Sequence, residues 1–198
     1  MVPGVTDGFR NHTGRLSDRH GVSSDQVADV LGTAASAGVA LLVGLVVLRI
    51  AAPSRFADAQ TSVSGSGPAL GAMVAVVATL GSLWFSEGEH FPPCEWCWYQ
   101  RIAMYPLALI LTVAAFRRDP GVRPYGLALA GVGLLVSAWH NVIETFPDLD
   151  AGSCDPTNPC TIRWVEGLGF WTIPRMAFVA FALVFTALLI DRPLPEDP

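Results

Sequence analysis

The sequence has no lysine, and charged residues make up only 15% of its 198 positions. Soluble domains carry about 25%. Every side-chain cation other than histidine is an arginine, 12 against 17 acidic residues, for a net charge of −5. No basic surface is on offer to a phosphate backbone, which excludes a nucleic-acid-binding protein. The shortage of charge also excludes an ordinary soluble enzyme. What fills the chain instead is apolar: 52% of residues are hydrophobic and 19 more are glycine, where both together make up ~45–50% of a soluble domain. A disordered chain is excluded by the same figures.

The apolar residues fall into five runs, each long enough to cross a ~30 Å hydrocarbon core as a helix. Val30–Leu48, Ala69–Ser86 and Pro124–Ile143 hold no charge at all. Trp98–Phe116 holds only Arg101 and Gly167–Ile190 only Arg175, each near the start of its run. The expected fold class is therefore an all-α polytopic membrane protein, with neither a repeat nor a soluble domain. Pro68 and Pro124 suit first helical turns. Pro106 and Pro174 fall inside spans and predict local kinks. The first run follows 28 polar residues and exceeds a ~7–15-residue signal-peptide core, so it reads as a retained span. Its pairs Ala34/Gly38 and Ala40/Gly44 would permit close helix packing.

Alternate connections differ in charge. Arg49, Arg55, Arg117, Arg118, Arg123 and Arg192 fall on one side, which the positive-inside rule makes cytoplasmic. The other side carries Glu87–Trp98 and Glu144–Glu166, and all six tryptophans lie at or near span ends there. Five spans put the N-terminal tail, with three arginines, on the unfavoured side, softened by Asp7, Asp18 and Asp25 and by Asp29 just beyond it.

None of the four cysteines lies inside a span, and both pairs belong to the tryptophan side. Cys94 and Cys97 form Cys-Glu-Trp-Cys; Cys154 and Cys160 form Cys-Asp-Pro-Thr-Asn-Pro-Cys. Two structural loop disulfides are one reading, and a four-thiolate zinc site is another, weakened by the second spacing. A third is redox chemistry. A Cys-x2-Cys at a helix N-terminus meets unpaired N–H groups and the positive end of the helix dipole, which favour a thiolate. Arg101 follows Cys97 by one helical turn. Its guanidinium would favour the Cys97 thiolate and hold an anionic ligand oxygen, or it would snorkel to lipid phosphates.

At these residues the chain resembles the disulfide bond formation protein B family, above all its BdbC-type members in Gram-positive bacteria. The resemblance rests on Gly81-Ser-Leu-Trp-Phe-Ser-Glu, Pro93-Cys-Glu-Trp-Cys-Trp-Tyr-Gln-Arg, Met104-Tyr-Pro-Leu and Gly169-Phe-Trp-Thr-Ile-Pro. It implies a four-helix membrane bundle that oxidises an extracytoplasmic thioredoxin-fold partner of the DsbA/BdbD type. The electrons then pass to a quinone, menaquinone or ubiquinone. Carried onto this chain, the resemblance makes Cys94, Cys97, Cys154 and Cys160 catalytic and Arg101 and His140 cofactor-binding, with no metal. Cys97 would lie nearer the quinone, Cys154 would meet the partner, and Cys160 would exchange with Cys94. The expected division is a polar tail over 1–28, an additional transmembrane helix over 29–50, the four-helix domain over 69–190 and a cytoplasmic tail over 191–198.

Three features depart from the family pattern. The first span is additional, the second cysteine loop is short, and Arg175 is unexpected there, either snorkelling or aiding an anionic quinol oxygen. Two rival classes stand beside this reading. A non-enzymatic membrane protein with loop disulfides would show no dependence of cysteine redox state on quinone. A vitamin K epoxide reductase-like enzyme would carry its loop pair ahead of the Cys-x2-Cys, the reverse of the order here.

Overall fold

The structure, a computed structural model, describes residues 23–191 apart from 151 and 153. The two tails, 1–22 and 192–198, lie outside the described residues. Helix α1 (Ser24–Ala51) starts at a capping box in which Ser23 and Gln26 exchange side-chain and backbone hydrogen bonds. It thus begins before the apolar run does, and residues 24–28 are helical rather than tail. A short helix α2 (Pro53–Ser62) follows, then α3 (Gly67–Leu83), α4 (Glu95–Arg117), α5 (Arg123–Thr145) and α6 (Ile173–Ile190). Among the described residues, five helical segments are long and apolar enough to cross a membrane. Outward-facing Val39, Leu41, Val43, Val46 and Val47 on α1 form the apolar surface that lipid requires.

Helices α3 to α6 pack as a ring, each against the next, with α6 returning to α3. The ring closes on Leu107, Leu111, Phe181, Val184 and Leu188, all fully buried. Glycine on α5 makes the close approach possible. A Cβ at Gly133 would sit 2.1 Å from Cε1 of Phe181. Helix α1 lies outside the ring against α6, burying Ala28, Gly32, Ala35 and Gly38. Of the small pairs expected to pack, only Gly38 does so; Ala34, Ala40 and Gly44 are exposed.

The two prolines expected inside spans are placed differently. Helix α4 continues through Pro106. Pro174 opens α6 instead of kinking it, because 167–171 is a tight turn closed by reciprocal backbone bonds between Gly167 and Trp171 (2.9 and 2.8 Å). Helix α3 ends in a π-helical turn, Trp84–Gly88, that buries Phe85 beside Phe91.

At one end of the bundle Arg123 donates to the carbonyls of Leu188 and Leu189, and Gln60 of α2 donates to that of Ile190. Both cysteine pairs lie at the other end, where α4 begins and α5 finishes.

Replacing Gly133 by alanine forces a methyl into the Phe181 ring and should cost about 1–3 kcal/mol. Gly44→Ala, with open space around it, should leave stability unchanged or slightly raised. Thermal midpoints in detergent compare the two directly.

Candidate redox centre

Helix α4 starts at Cys94, whose backbone is extended and whose sulfur accepts the amide N–H of Cys97 at 3.3 Å. A sulfur thus takes the capping role usually held by an oxygen. Pro92 and Pro93 bring the chain in, and their carbonyls accept from the Asn158 amide of the second cysteine loop (3.4 and 3.1 Å). In that loop Cys154 and Cys160 are joined by a disulfide. The Asp155 carboxyl accepts both the N–H and the hydroxyl of Thr157, which lowers its pKa and folds the loop into an Asx turn.

Cys94, Cys154 and Cys160 form one buried cluster with Ile143, and Cys97 and Trp96 pack against it. The sulfurs of Cys94 and Cys97 are 2.7 Å apart, and both are free thiols. The neighbouring Cys97 thiol holds the Cys94 thiol down to about 5, against burial, which raises it. His140 adds to the lowering, its Nε2 lying 3.7 Å from the Cys94 sulfur. The same Nε2 is 3.1 Å from the Cys160 carbonyl. A carbonyl only accepts, so Nε2 carries the proton and Nδ1 is left to accept from the Gln100 amide, 3.1 Å away.

Cys97 faces elsewhere. With Arg101 it borders a cavity of about 340 Å³ enclosed by α1, α3, α4 and α6. The walls are mainly apolar; Ser82, Gln100, Arg101 and Tyr105 supply polar groups. Arg101 is fixed rather than snorkelling. Its Nε donates to the Ser82 hydroxyl and its Nη2 to the Ser82 carbonyl, both at 3.0 Å. The guanidinium lies 5.3 Å from the Trp98 ring centroid. Ser82 in turn meets the Tyr105 hydroxyl at 3.2 Å.

The structure therefore brings Cys94, Cys160 and His140 together on one side and Cys97 with Arg101 on the other. His140 is not among the cavity-lining residues. Cys154 is 7% exposed and Cys94 5%, so both are buried. The four-thiolate arrangement is not assembled, since two of its sulfurs are bonded to each other. Donor atoms of Cys94, Cys97 and His140 lie within 4.8 Å of one another, with His140 Nε2 engaged by the Cys160 carbonyl.

Arg175 has a third role that neither expectation covered. Glu144, its side chain 1% exposed, sits between Arg163 Nε at 3.3 Å and Arg175 Nη2 at 3.5 Å. Arg175 also donates to the Phe170 carbonyl. The trio ties the segment after Cys160 to the start of α6. A charge inside a span asks for a partner, and Glu144 at the end of another span was the signal. Gln100, polar in an apolar helix three residues after Cys97, was the matching hint for the His140 contact.

The family model described as disulfide bond formation protein DsbB matches residues 66–191. The chain is 44% identical over 113 residues to disulfide bond formation protein C of Bacillus subtilis, covering 57% of this chain and 82% of that one. It is 44% identical over 122 residues to a probable disulfide formation protein C of Halalkalibacterium halodurans, covering 61% and 89%. No solved structure matches the chain.

In the reduced protein, alkylation of Cys94 should hold its rate from pH 8 down to 6 and fall once pH drops below about 5, because only the thiolate reacts. Cys97→Ala removes the neighbouring thiol and should move that fall upward, toward the ordinary thiol value of ~8.5. Rates read by mass spectrometry across the pH range test both statements.

Proposed function

The chain belongs to the DsbB family of disulfide bond formation proteins, and from that premise we propose that it is a thiol:quinone oxidoreductase. It accepts electrons from an extracytoplasmic thioredoxin-fold dithiol and passes them through two cysteine pairs to a membrane quinone. One observation carries this reading: the sulfurs of a single Cys-x2-Cys face different surroundings. Cys94 packs with Cys160, while Cys97 borders an apolar cavity beside Arg101. The arginine-rich end of the bundle is cytoplasmic by the positive-inside rule, which leaves the cysteines outside.

A partner thiolate attacks Cys154 and breaks the Cys154–Cys160 bond. The partner's second thiol then resolves the mixed disulfide, and the partner leaves oxidised. The two electrons now reside on the thiols of Cys154 and Cys160. With Cys94 and Cys97 disulfide-bonded, Cys160 attacks Cys94 and expels the Cys97 thiolate. Cys154 attacks Cys160, re-forms the loop disulfide, and leaves Cys94 and Cys97 reduced. His140 acts as a positioning residue here, holding the Cys160 carbonyl while touching the Cys94 sulfur. A thiol of lowered pKa is also a good leaving group, so Cys94 is readily released again.

The cavity fits a quinone. Its size falls in the range of small-molecule sites, its walls suit an isoprenoid tail, and Arg101 and the hydroxyls of Ser82 and Tyr105 suit ring oxygens. When bound, the quinone supplies a two-electron, two-proton acceptor, which lets the Cys94–Cys97 bond close again. Menaquinone and ubiquinone share the ring dione and the apolar tail that these groups address.

Proteoliposomes holding the full chain, a quinone and a reduced thioredoxin-fold substrate test the reading by quinol absorbance. Cys97→Ser should abolish turnover, and intact turnover would refute its role. Arg101→Ala should raise the apparent KM for quinone roughly tenfold, as expected for a lost charged hydrogen bond. His140→Ala should leave that KM alone and slow reduction of Cys94–Cys97 by the loop pair in a single turnover without quinone.

A further inference from the structure

Helix α1 lies outside the stretch that the family model matches, which begins at residue 66. It is nevertheless fitted closely to the redox end. Cβ atoms added at Gly32 and Gly38 would lie 2.9 Å from Trp171 Cδ1 and 2.8 Å from Leu183 Cδ1. The Asp29 carboxylate accepts the Leu168 N–H at 2.8 Å, and Trp171 Nε1 donates to the Ser36 hydroxyl at 2.8 Å. On its other flank Leu31 reaches α3, its Cδ1 lying 2.9 Å from where a Gly81 Cβ would be. The outer half of α1 is thus held against α6 and α3 together.

Leu31, Ala34 and Ala35 of α1 line the cavity that holds Cys97 and Arg101. On α3, Met73 and Val77 line it too. Ala34, Met73 and Val77 are exposed as well as lining, so the cavity reaches the surface of the bundle between α1 and α3. All three are apolar, and the surface there is one that lipid covers. The polar groups of the cavity, Ser82, Gln100, Arg101 and Tyr105, lie elsewhere on its wall.

We propose that α1 forms one side of a lipid-facing mouth through which the apolar tail of the bound quinone leaves the cavity, and that Ala34 sets its width. The inference rests on the quinone reading above and adds a residue that discriminates quinones by their tails. A small side chain at position 34 leaves room for a branched isoprenoid chain. A large one there would fill that room from a helix that carries none of the redox chemistry.

Steady-state oxidation of a reduced thioredoxin-fold substrate by the full chain in proteoliposomes tests this with two acceptors. One is a quinone with a long isoprenoid tail and the other a tail-less benzoquinone. Ala34→Trp should raise the KM for the tailed quinone relative to the tail-less one by roughly tenfold, in the range that overfilling a packed space produces. Met73→Trp, on the opposite side of the mouth, should shift the same ratio in the same direction. Ala37→Trp, exposed on α1 but away from the cavity, should leave the ratio unchanged. Thermal midpoints identify any variant that has not folded, and either mouth variant suffices for the test. An unchanged ratio in a folded mouth variant, with wild type reducing both quinones, would overturn the role of α1 and leave the quinone reading standing. Wild-type protein that exchanges disulfides with the substrate yet reduces neither quinone would overturn the quinone reading, and this inference with it.

Discussion

The organisation of the redox centre depends on the first residue pair of α4, where the sulfur of Cys94 caps the helix by accepting the Cys97 N–H. A helix start fixes the direction of each following side chain. With Cys94 at the cap, its sulfur lies outside the first turn, against α5 and the second loop. Cys97 falls three residues along and turns to the cavity, and Arg101 follows one turn further. One helix end thus presents two sulfurs, 2.7 Å apart, to two different environments. Moving the helix start by a single residue would rotate both away from their neighbours.

The surroundings of this helix start are built to keep it still. Gln100 orients the His140 ring from one nitrogen, and the Cys160 carbonyl accepts the N–H of the other. Asn158 ties the second loop to the prolines ahead of Cys94. At the loop's far end, Glu144 holds Arg163 and Arg175 together. Burying that carboxylate carries a desolvation cost, which two guanidinium partners offset, and the arrangement fixes geometry more than it adds stability. Cys154 is buried in the same cluster, so exchange with a macromolecular partner requires the loop to lift.

Much of this was legible in the amino-acid order. Uncharged runs of membrane-spanning length, arginine at one end and tryptophan and cysteine at the other need no tertiary information. The Cys94–Arg101 spacing likewise follows from helical period alone. The face of α1 did not. That helix is apolar almost all the way round, so nothing in its pattern separates the stripe Ala28, Gly32, Ala35 and Gly38 from the neighbouring Ala34/Gly38 and Ala40/Gly44 phase. The onset of α6 was misjudged because Gly167–Thr172 is as apolar as a helix, while its turn depends on positive φ at Leu168 and Gly169. His140 does not line the cavity that Cys97 borders, and it touches the Cys94 sulfur and the Cys160 carbonyl. Its neighbours Gln100 and Cys160 come from different elements, and only the folded bundle brings them together.

The account stands or falls on direct transfer between Cys160 and Cys94, which share one buried cluster. A chain carrying Cys97→Ser and Cys154→Ser keeps only these two cysteines. Mild oxidation of this variant in membranes, followed by proteolysis and mass spectrometry, measures how much Cys94–Cys160 bond forms. A predominantly intramolecular Cys94–Cys160 disulfide is the predicted result. Two persistently free thiols, or bonds only between separate chains, would contradict it.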